Sequence, residues 1–490
     1  MKLGVFILGV IFCFISGLLM AFEPITDNDY FWHVVIGRWI DTNKSIPNEE
    51  LFSWYGDFSW TSHEWLTELI MYKLGPIGCI IIMLLIFTLL YFLMYKMLKI
   101  KFKKLLDFKL LYLLLMTVFF KVTGPRPYII SLLTFAYLIY VLFSYIDNEK
   151  PIFKKLIWTI PLLQILWVNF HGGSSSLPYL FLIGVLVCDL VVRILPFKDV
   201  KWSKKILDVN QRKNLFIILV LTIIATCINP FTYKMLLYPF TNMLDNNMLS
   251  LILEWKSPSF HGLLGIYIFI MIVLPLLSMV LNKQKFKLHE VAFLFLFLFM
   301  CLKSQRFVGM YGIYSTWIIG KYFFVTDEMY EFIKKPFKKI EKIIYILFSS
   351  LLVLGLIFIG YIQFKNFKII DNHGYYSDEA VLKLIELKPK RMYNDFGAGG
   401  YLLYKLDEYN ALKDTKIFVY GLGDVFSDNL LIDSKKITDL TYDPQEMLNK
   451  YDFDVLINVK SSPLHYYLEK HPDYEKVFED NMCYIFKKKN

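Results

Sequence analysis

Residues 23–75 read EPITDNDYFWHVVIGRWIDTNKSIPNEELFSWYGDFSWTSHEWLTELIMYKLG, and how they are understood decides the rest. The stretch is polar, it follows an apolar run at 3–22, and it is dense in reactive groups. Asp27 and Asp29 flank Asn28. His33 and Arg38 follow, and His63, Glu64 and Trp65 stand together near its end.

Outward from this stretch the chain is apolar. It is 56% hydrophobic and 20% charged over 490 residues, with a mean hydropathy of +0.46. That composition excludes an ordinary soluble domain. Cys13, Cys79, Cys188, Cys227 and Cys301 fall in apolar runs and Cys483 in a polar tail, which leaves small hydrophobes and no metal spacing. A net charge of +10 would suit nucleic acid if it were pooled. It sits instead in short loops between apolar runs, so the partner it implies is membrane lipid and not nucleic acid.

Eleven apolar runs lie near 3–22, 77–95, 109–121, 127–145, 156–169, 177–194, 215–228, 263–281, 290–302, 308–324 and 343–363. The expected fold is an α-helical multispanning membrane protein of about 11 transmembrane helices, with the shorter runs extended into their flanks, tilted or re-entrant. The loops after even-numbered runs are basic: YKMLKIKFKK, NEKPIFKK, FKDVKWSKK, NKQKFK and FIKKPFKKIEK. The positive-inside bias then puts the N-terminus in the cytoplasm and the C-terminal tail outside a plasma membrane. Two domains follow: a transmembrane domain over 1–363 with its outer loop at 23–76, and an extracytoplasmic domain over 364–490. In the latter, helices at 377–387, QEMLNKY and LHYYLEK alternate with strands at RMYND, KIFVYG, FDVLINV, YEKVFED and MCYIFKK, which reads as a small α/β domain. GAGG reads as a turn between RMYND and a helix at YLLYKL.

The polar and ionisable groups predicted outside converge on one face. They are Asp27, Asp29, His33, Arg38, His63 and Glu64 in the first loop, and Arg126 in GPRP. Asn169 and His171 follow in WVNFHGG, then Glu254 in LEWKSP and Arg306 in KSQRF. Ionisable groups at membrane ends are costly unless they face water or a partner, so an outward polar cavity is expected. Arg126 and Arg306, at helix ends, suit a phosphate. Asp27 and Asp29, held close to the first helix end, suit a general base. If their segment is extended they point to opposite faces. Trp32, Trp39, Trp54, Trp60 and Trp65 suit an interfacial aromatic belt. Glu64 and Glu254, each beside a tryptophan, suit packing on the membrane surface or contact with substrate. The three histidines with the aspartates leave a divalent metal as an open possibility, although no spacing ties them together.

The order DNDYFWHVVIGRWI, SHEWLTELI, GPRP, WVNFHGG, NPF, LEWKSP, SQRF and YNDFGAGGYLLYKL resembles bacterial multispanning membrane proteins near the GT-C superfamily, over nearly the whole chain. That resemblance implies a glycosyltransferase using a polyprenyl-phosphate or diphosphate sugar donor and a glycan, lipid or protein acceptor at the outer face. It implies that Asp27 or Asp29 takes the place of the first-loop catalytic acid. The other polar groups of the expected cavity, His33, Arg38, His63, Glu64, Arg126, Asn169, His171, Glu254 and Arg306, are on the outer-loop reading the candidates for contact with substrate. The alternatives are a transporter or flippase of lipid-linked glycans, and a sensory membrane protein whose tail binds a ligand.

Overall fold

The computed structural model describes residues 2–22, 24–56, 58–99, 124–195, 202–203, 205–243, 252–282, 284–323, 375–426, 429–441 and 443–489, with scattered positions between. The runs expected near 109–121 and 343–363 lie mostly outside the described residues.

The chain opens with helix α1 (Lys2–Ala21), which packs along the helix at Trp65–Met97. Helix α2 (Asn28–Asn43) then occupies the stretch expected to be a loop. Its start is written in the sequence: Asp27 is the N-cap and its carboxylate accepts the Asp29 N–H at 3.0 Å. The two aspartates are therefore not on opposite faces of an extended strand.

Helix α3 (Trp65–Met97) runs from polar sequence into apolar sequence. At its middle, Gly75 takes φ 64° and ψ −176°, which breaks the helical path just before Pro76. A left-handed φ costs glycine little, and proline cannot donate to the preceding turn, so the pair makes a kink. The part before the kink belongs with α2; the part after it is the apolar rod.

The bundle continues with α4 (Tyr128–Ile146), α5 (Ile160–Phe170), α6 (Leu177–Ile194), α7 (Val209–Thr226) and α8 (Lys234–Met243). Helices α9 (Leu263–Leu281), α10 (Leu288–Lys303) and α11 (Val308–Tyr322) complete it. Five described helices are long and apolar enough to cross a membrane: Trp65–Met97, Tyr128–Ile146, Gly172–Ile194, Val209–Thr226 and Leu263–Leu281. That is five among the described residues and not eleven. The run at 156–169 fails because a 3-10 turn at Ile157–Thr159 breaks it, and the 11 residues of α5 rise only about 16 Å. Helices α10 and α11, with 16 and 15 residues, also fall short.

The tail holds α12 (Asp378–Leu387), β1 (Met392–Asn394), α13 (Phe396–Glu408), α14 (Asn429–Asp439), α15 (Pro444–Tyr451), β2 (Val455–Val459), α16 (Leu464–Leu468), β3 (Tyr474–Glu479) and β4 (Cys483–Lys488). The sheet order is β1-β2-β4-β3, with β1 parallel to β2 and the other pairs antiparallel. GAGG is not a turn but the first turns of α13, which begins at Phe396. The predicted KIFVYG strand does not join the sheet. Ile417 bridges Ser53 instead, with the Trp54 N–H donating to the Ile417 carbonyl at 3.0 Å.

That bridge is one of many ties between residues 25–60 and the tail. Phe31 meets Tyr401 edge-on at 5.1 Å, and Trp54 stacks on Phe418 at 5.6 Å. The Trp54 indole donates to the Met392 carbonyl at 2.7 Å, and Tyr420 donates to Glu50 at 3.0 Å. The tryptophans therefore do not form a belt facing lipid. Trp32 and Trp60 are buried, and the indoles of Trp32 and Trp65 donate to Asp29 and Asn169. Aromatic rings with a polar handle fit such a half-polar seam as well as they fit a bilayer edge.

Candidate functional site

Between α2, one end of the bundle and the tail lies a cavity of about 1230 Å³. Helix α2 supplies Asp29, Trp32 and His33, with Asp27 at its cap. The bundle supplies Arg126, Tyr128, Glu254 and Arg306, and the tail supplies Asp395, Gly421, Asp424 and Lys435. Residues assigned from sequence to separate loops thus meet at one place.

The first cluster is built on Arg126. Its Nη2 donates to Asp27 Oδ1 at 2.7 Å and reaches Asp29 Oδ2 at 2.9 Å, while Nε bonds Asp27 and Nη1 bonds Glu254. Three carboxylates share one guanidinium, which holds its proton more firmly than usual despite burial, because Asp29, Asp27 and Glu254 surround it. Arg126 is therefore not a free phosphate fork. Asp27 is nearly closed off, with 5% of the residue exposed. Asp29 differs: 30% of its side chain opens on the cavity. Burial pushes its carboxyl up to about 7, against the pull of Arg126 and with the repulsion of Asp27 and Glu254. Trp32 Nε1 donates to its Oδ1 at 3.1 Å, fixing the rotamer. The tail presses from the other side, since a Cβ at Gly421 would run into Asp29 and Trp32.

The second cluster is built on Glu64, which is buried and not laid on a membrane surface. His33, His63 and His171 all reach its carboxylate. The polar start of α3 brings Glu68 in behind, against His33 Nδ1 at 3.1 Å. Burial lowers the His33 and His171 imidazoles well below the usual range, with Arg126 and Arg306 respectively as the next causes, so both are neutral. Burial raises the Glu64 carboxyl, opposed by His63 and Arg306. His33, Glu64 and Glu68 offer ligand atoms within 4.8 Å of one another and can hold a metal ion. The histidines thus gather on Glu64 and not on the aspartates.

Arg306 lies over Trp255, 4.8 Å from the ring centroid, and near Tyr128. Among the described residues no carboxylate pairs with it. Two expected contacts lie elsewhere. Arg38 pairs with Asp407 at 3.0 Å on the protein surface. Asn169 accepts from the Trp65 indole at 3.2 Å and donates to the Ile165 and Ile228 carbonyls, so it ties helix ends together. His171 stands behind the cavity wall, fully buried. Sequence reasoning missed Glu68, Lys435 and the contact from Tyr238 to Asp424 at 2.5 Å. Glu68 was findable, because it follows Glu64 by four residues and shares its helix face.

No protein-family profile matches the chain, and no curated protein matches it.

Proposed function

We propose that the chain is a GT-C-like membrane glycosyltransferase that moves a sugar from a polyprenyl-phosphate or diphosphate donor to an acceptor at the outer face of the plasma membrane. The observation that carries this reading is the meeting of two pockets at Arg126. Beside the polar cavity lies an apolar pocket of about 340 Å³, lined by Met71, Met83, Ile86, Ile129, Ile130 and Phe170, with Arg126 at its polar end. An amphiphile with an apolar chain and a polar head fits that junction: the chain lies between α3 and α4, and the head enters the cavity. A purely water-soluble substrate leaves the apolar pocket without a use.

In this reading Asp29 is the base. It opens on the cavity, and a carboxyl held near 7 matches proton transfer at neutral pH. It takes the proton of the acceptor hydroxyl as that oxygen bonds the anomeric carbon. The bond from that carbon to the phosphate oxygen breaks, and the electron pair leaves with the phosphate. Arg306, without a carboxylate partner among the described residues, faces the developing charge. Arg126 and Asp27 act as positioning residues that hold Asp29 in place.

The purified chain, given polyprenyl-phosphate-linked sugars, should release polyprenyl phosphate and glycosylate an acceptor. Arg306→Ala should weaken donor binding by roughly 10–100-fold, as expected for losing hydrogen bonds to a charged group. Undiminished donor binding in that variant would remove Arg306 from the phosphate site. Failure of the wild-type chain to bind any polyprenyl-phosphate sugar would end the transferase reading.

A further inference from the structure

Glu64 is a nearly buried carboxylate with three imidazoles aimed at it. His171 Nε2 lies 3.2 Å from Oε1, His63 Nε2 lies 3.7 Å from Oε1, and His33 Nε2 lies 3.7 Å from Oε2. The rings come from three separate elements: α2, the approach to α3, and the turn after α5. In each ring the other nitrogen is held by something else. His33 Nδ1 meets Glu68 Oε1 at 3.1 Å, His63 Nδ1 meets the Thr61 carbonyl at 3.2 Å, and His171 Nδ1 meets Ser131 Oγ at 2.6 Å. Every ring is fixed by its Nδ1 and turns its Nε2 toward the Glu64 carboxylate, His63 and His171 to Oε1 and His33 to Oε2. Histidine ligands to metals are oriented in this way, by a carboxylate, carbonyl or hydroxyl on the far nitrogen.

We propose that Glu64 and the Nε2 atoms of His33, His63 and His171 bind one divalent transition-metal ion. Ordinary hydrogen bonding accounts for the cluster poorly. His171 Nε2 is fully buried and has no hydrogen-bond partner among the described residues, and a buried polar atom left so is costly. Coordination accounts for it well. With ligand bonds of about 2.1 Å, the edge of a tetrahedral site is about 3.4 Å, and the three nitrogen–oxygen separations bracket that value. Glu68 belongs one layer out, since its oxygen holds the nitrogen of His33 that faces away from Glu64. Three imidazoles with one carboxylate suit a borderline ion such as Zn²⁺ or Co²⁺ and not the oxygen-seeking Mg²⁺ or Ca²⁺. His33, His63 and Glu64 line the cavity, so the ion faces it. The site stands on the histidine geometry alone and does not depend on the transferase reading.

The test is a Co²⁺ titration of the full chain in detergent after chelation, read by the visible d–d bands and by metal content. About one ion per chain is expected, displaced by Zn²⁺ but not by Mg²⁺. Glu68→Gln should retain the ion with affinity lower by about 10–100-fold, the usual effect of losing an outer partner. His63→Gln and Glu64→Gln should lose the bands while melting without metal at the parent temperature. The wild-type titration needs no variant to be decisive: a folded chain that takes up no Co²⁺ overturns the proposal. So does Co²⁺ binding that survives both His63→Gln and Glu64→Gln.

Discussion

Asp29 and Asp147 stand toward opposite ends of α4 and are shifted in opposite directions. The helix has 19 residues, so its ends are about 28 Å apart. Asp147 accepts from Lys287 and Lys321, each at 2.7 Å, and Lys321 also reaches Glu290 at 2.5 Å. Two carboxylates face two ammonium groups. Burial alone would raise the Asp147 carboxyl, but Lys321 and Lys287 outweigh it and hold the group down at about 2. Asp29 shares its one arginine with Asp27 and Glu254, burial wins, and the group rises to about 7. One end of the bundle closes its charges on themselves. The other pools unequal charge around a cavity, which is where perturbed groups are expected to do chemistry.

The sharpest break of this comparison is in turnover. Asp29→Asn should lower transfer by about 10²–10⁴-fold, the usual contribution of a general base, while donor binding persists. Asp147→Asn should leave turnover per folded molecule unchanged. In the parent chain the rate should fall as pH drops through about 7, because Asp29 then carries the proton it must accept. An Asp29→Asn variant with parental turnover would dissolve the distinction between the two ends. Loss of donor binding together with turnover would make Asp29 a substrate-orienting group.

Stability should divide the other way. Removing one partner from a buried ion network typically costs roughly 3–5 kcal/mol, and Asp147→Asn takes the carboxylate from Lys287 and leaves Lys321 with Glu290 alone. Denaturation in detergent should register that loss, and Asp29→Asn should not reproduce it. The pH dependences have opposite signs. An unfolded aspartate titrates near 3.9. The Asp147 contribution is present above that value and fades as pH falls toward about 2. The Asp29 contribution is present below about 4, fades as pH rises to about 7, and is flat above. A common sign for the two sites would refute their different charge balance.

What the sequence disclosed follows from what is local. The Asp27 cap, the helix at 378–387 and the strands at 455–459 and 483–488 depend on nearby residues, and their patterns were legible. The separation of helix ends into basic and polar sets was legible for the same reason. The partners of Arg126 were not. Asp27 and Glu254 lie 99 and 128 residues from it, and nothing local marks an arginine as occupied. KIFVYG looked like a sheet strand because its alternation is real; its partner, Ser53, lies far back in the chain. Beside Trp65, Glu64 reads as packing on the membrane surface or contacting substrate, and nothing local marks it as a centre for histidines. Only folding brings His33 and His171 to the same carboxylate.

Arg38 offers the smallest effect and the cleanest check on the site's boundary. The first loop seemed to offer all its charges to one cavity, but Arg38 sits farther along α2 and turns to the tail. Its Nη1 pairs with Asp407 Oδ2 at 3.0 Å, and its Nη2 donates to Asn410 Oδ1 at 3.3 Å. The Arg38 side chain is 39% exposed, so water screens the pair and the long side chain loses entropy in making it. Exposed pairs of this kind give coupling energies of about 0.2–1 kcal/mol. A double-mutant cycle of Arg38→Ala and Asp407→Ala should return a value in that range, smaller still at high salt. Transfer should be unaffected in either variant, since neither side chain lines the cavity. A clear fall in turnover for Arg38→Ala, without loss of folding, would move the edge of the site outward along α2. It would also mean that the seam between α2 and α13 participates in substrate binding as well as holding the tail in place.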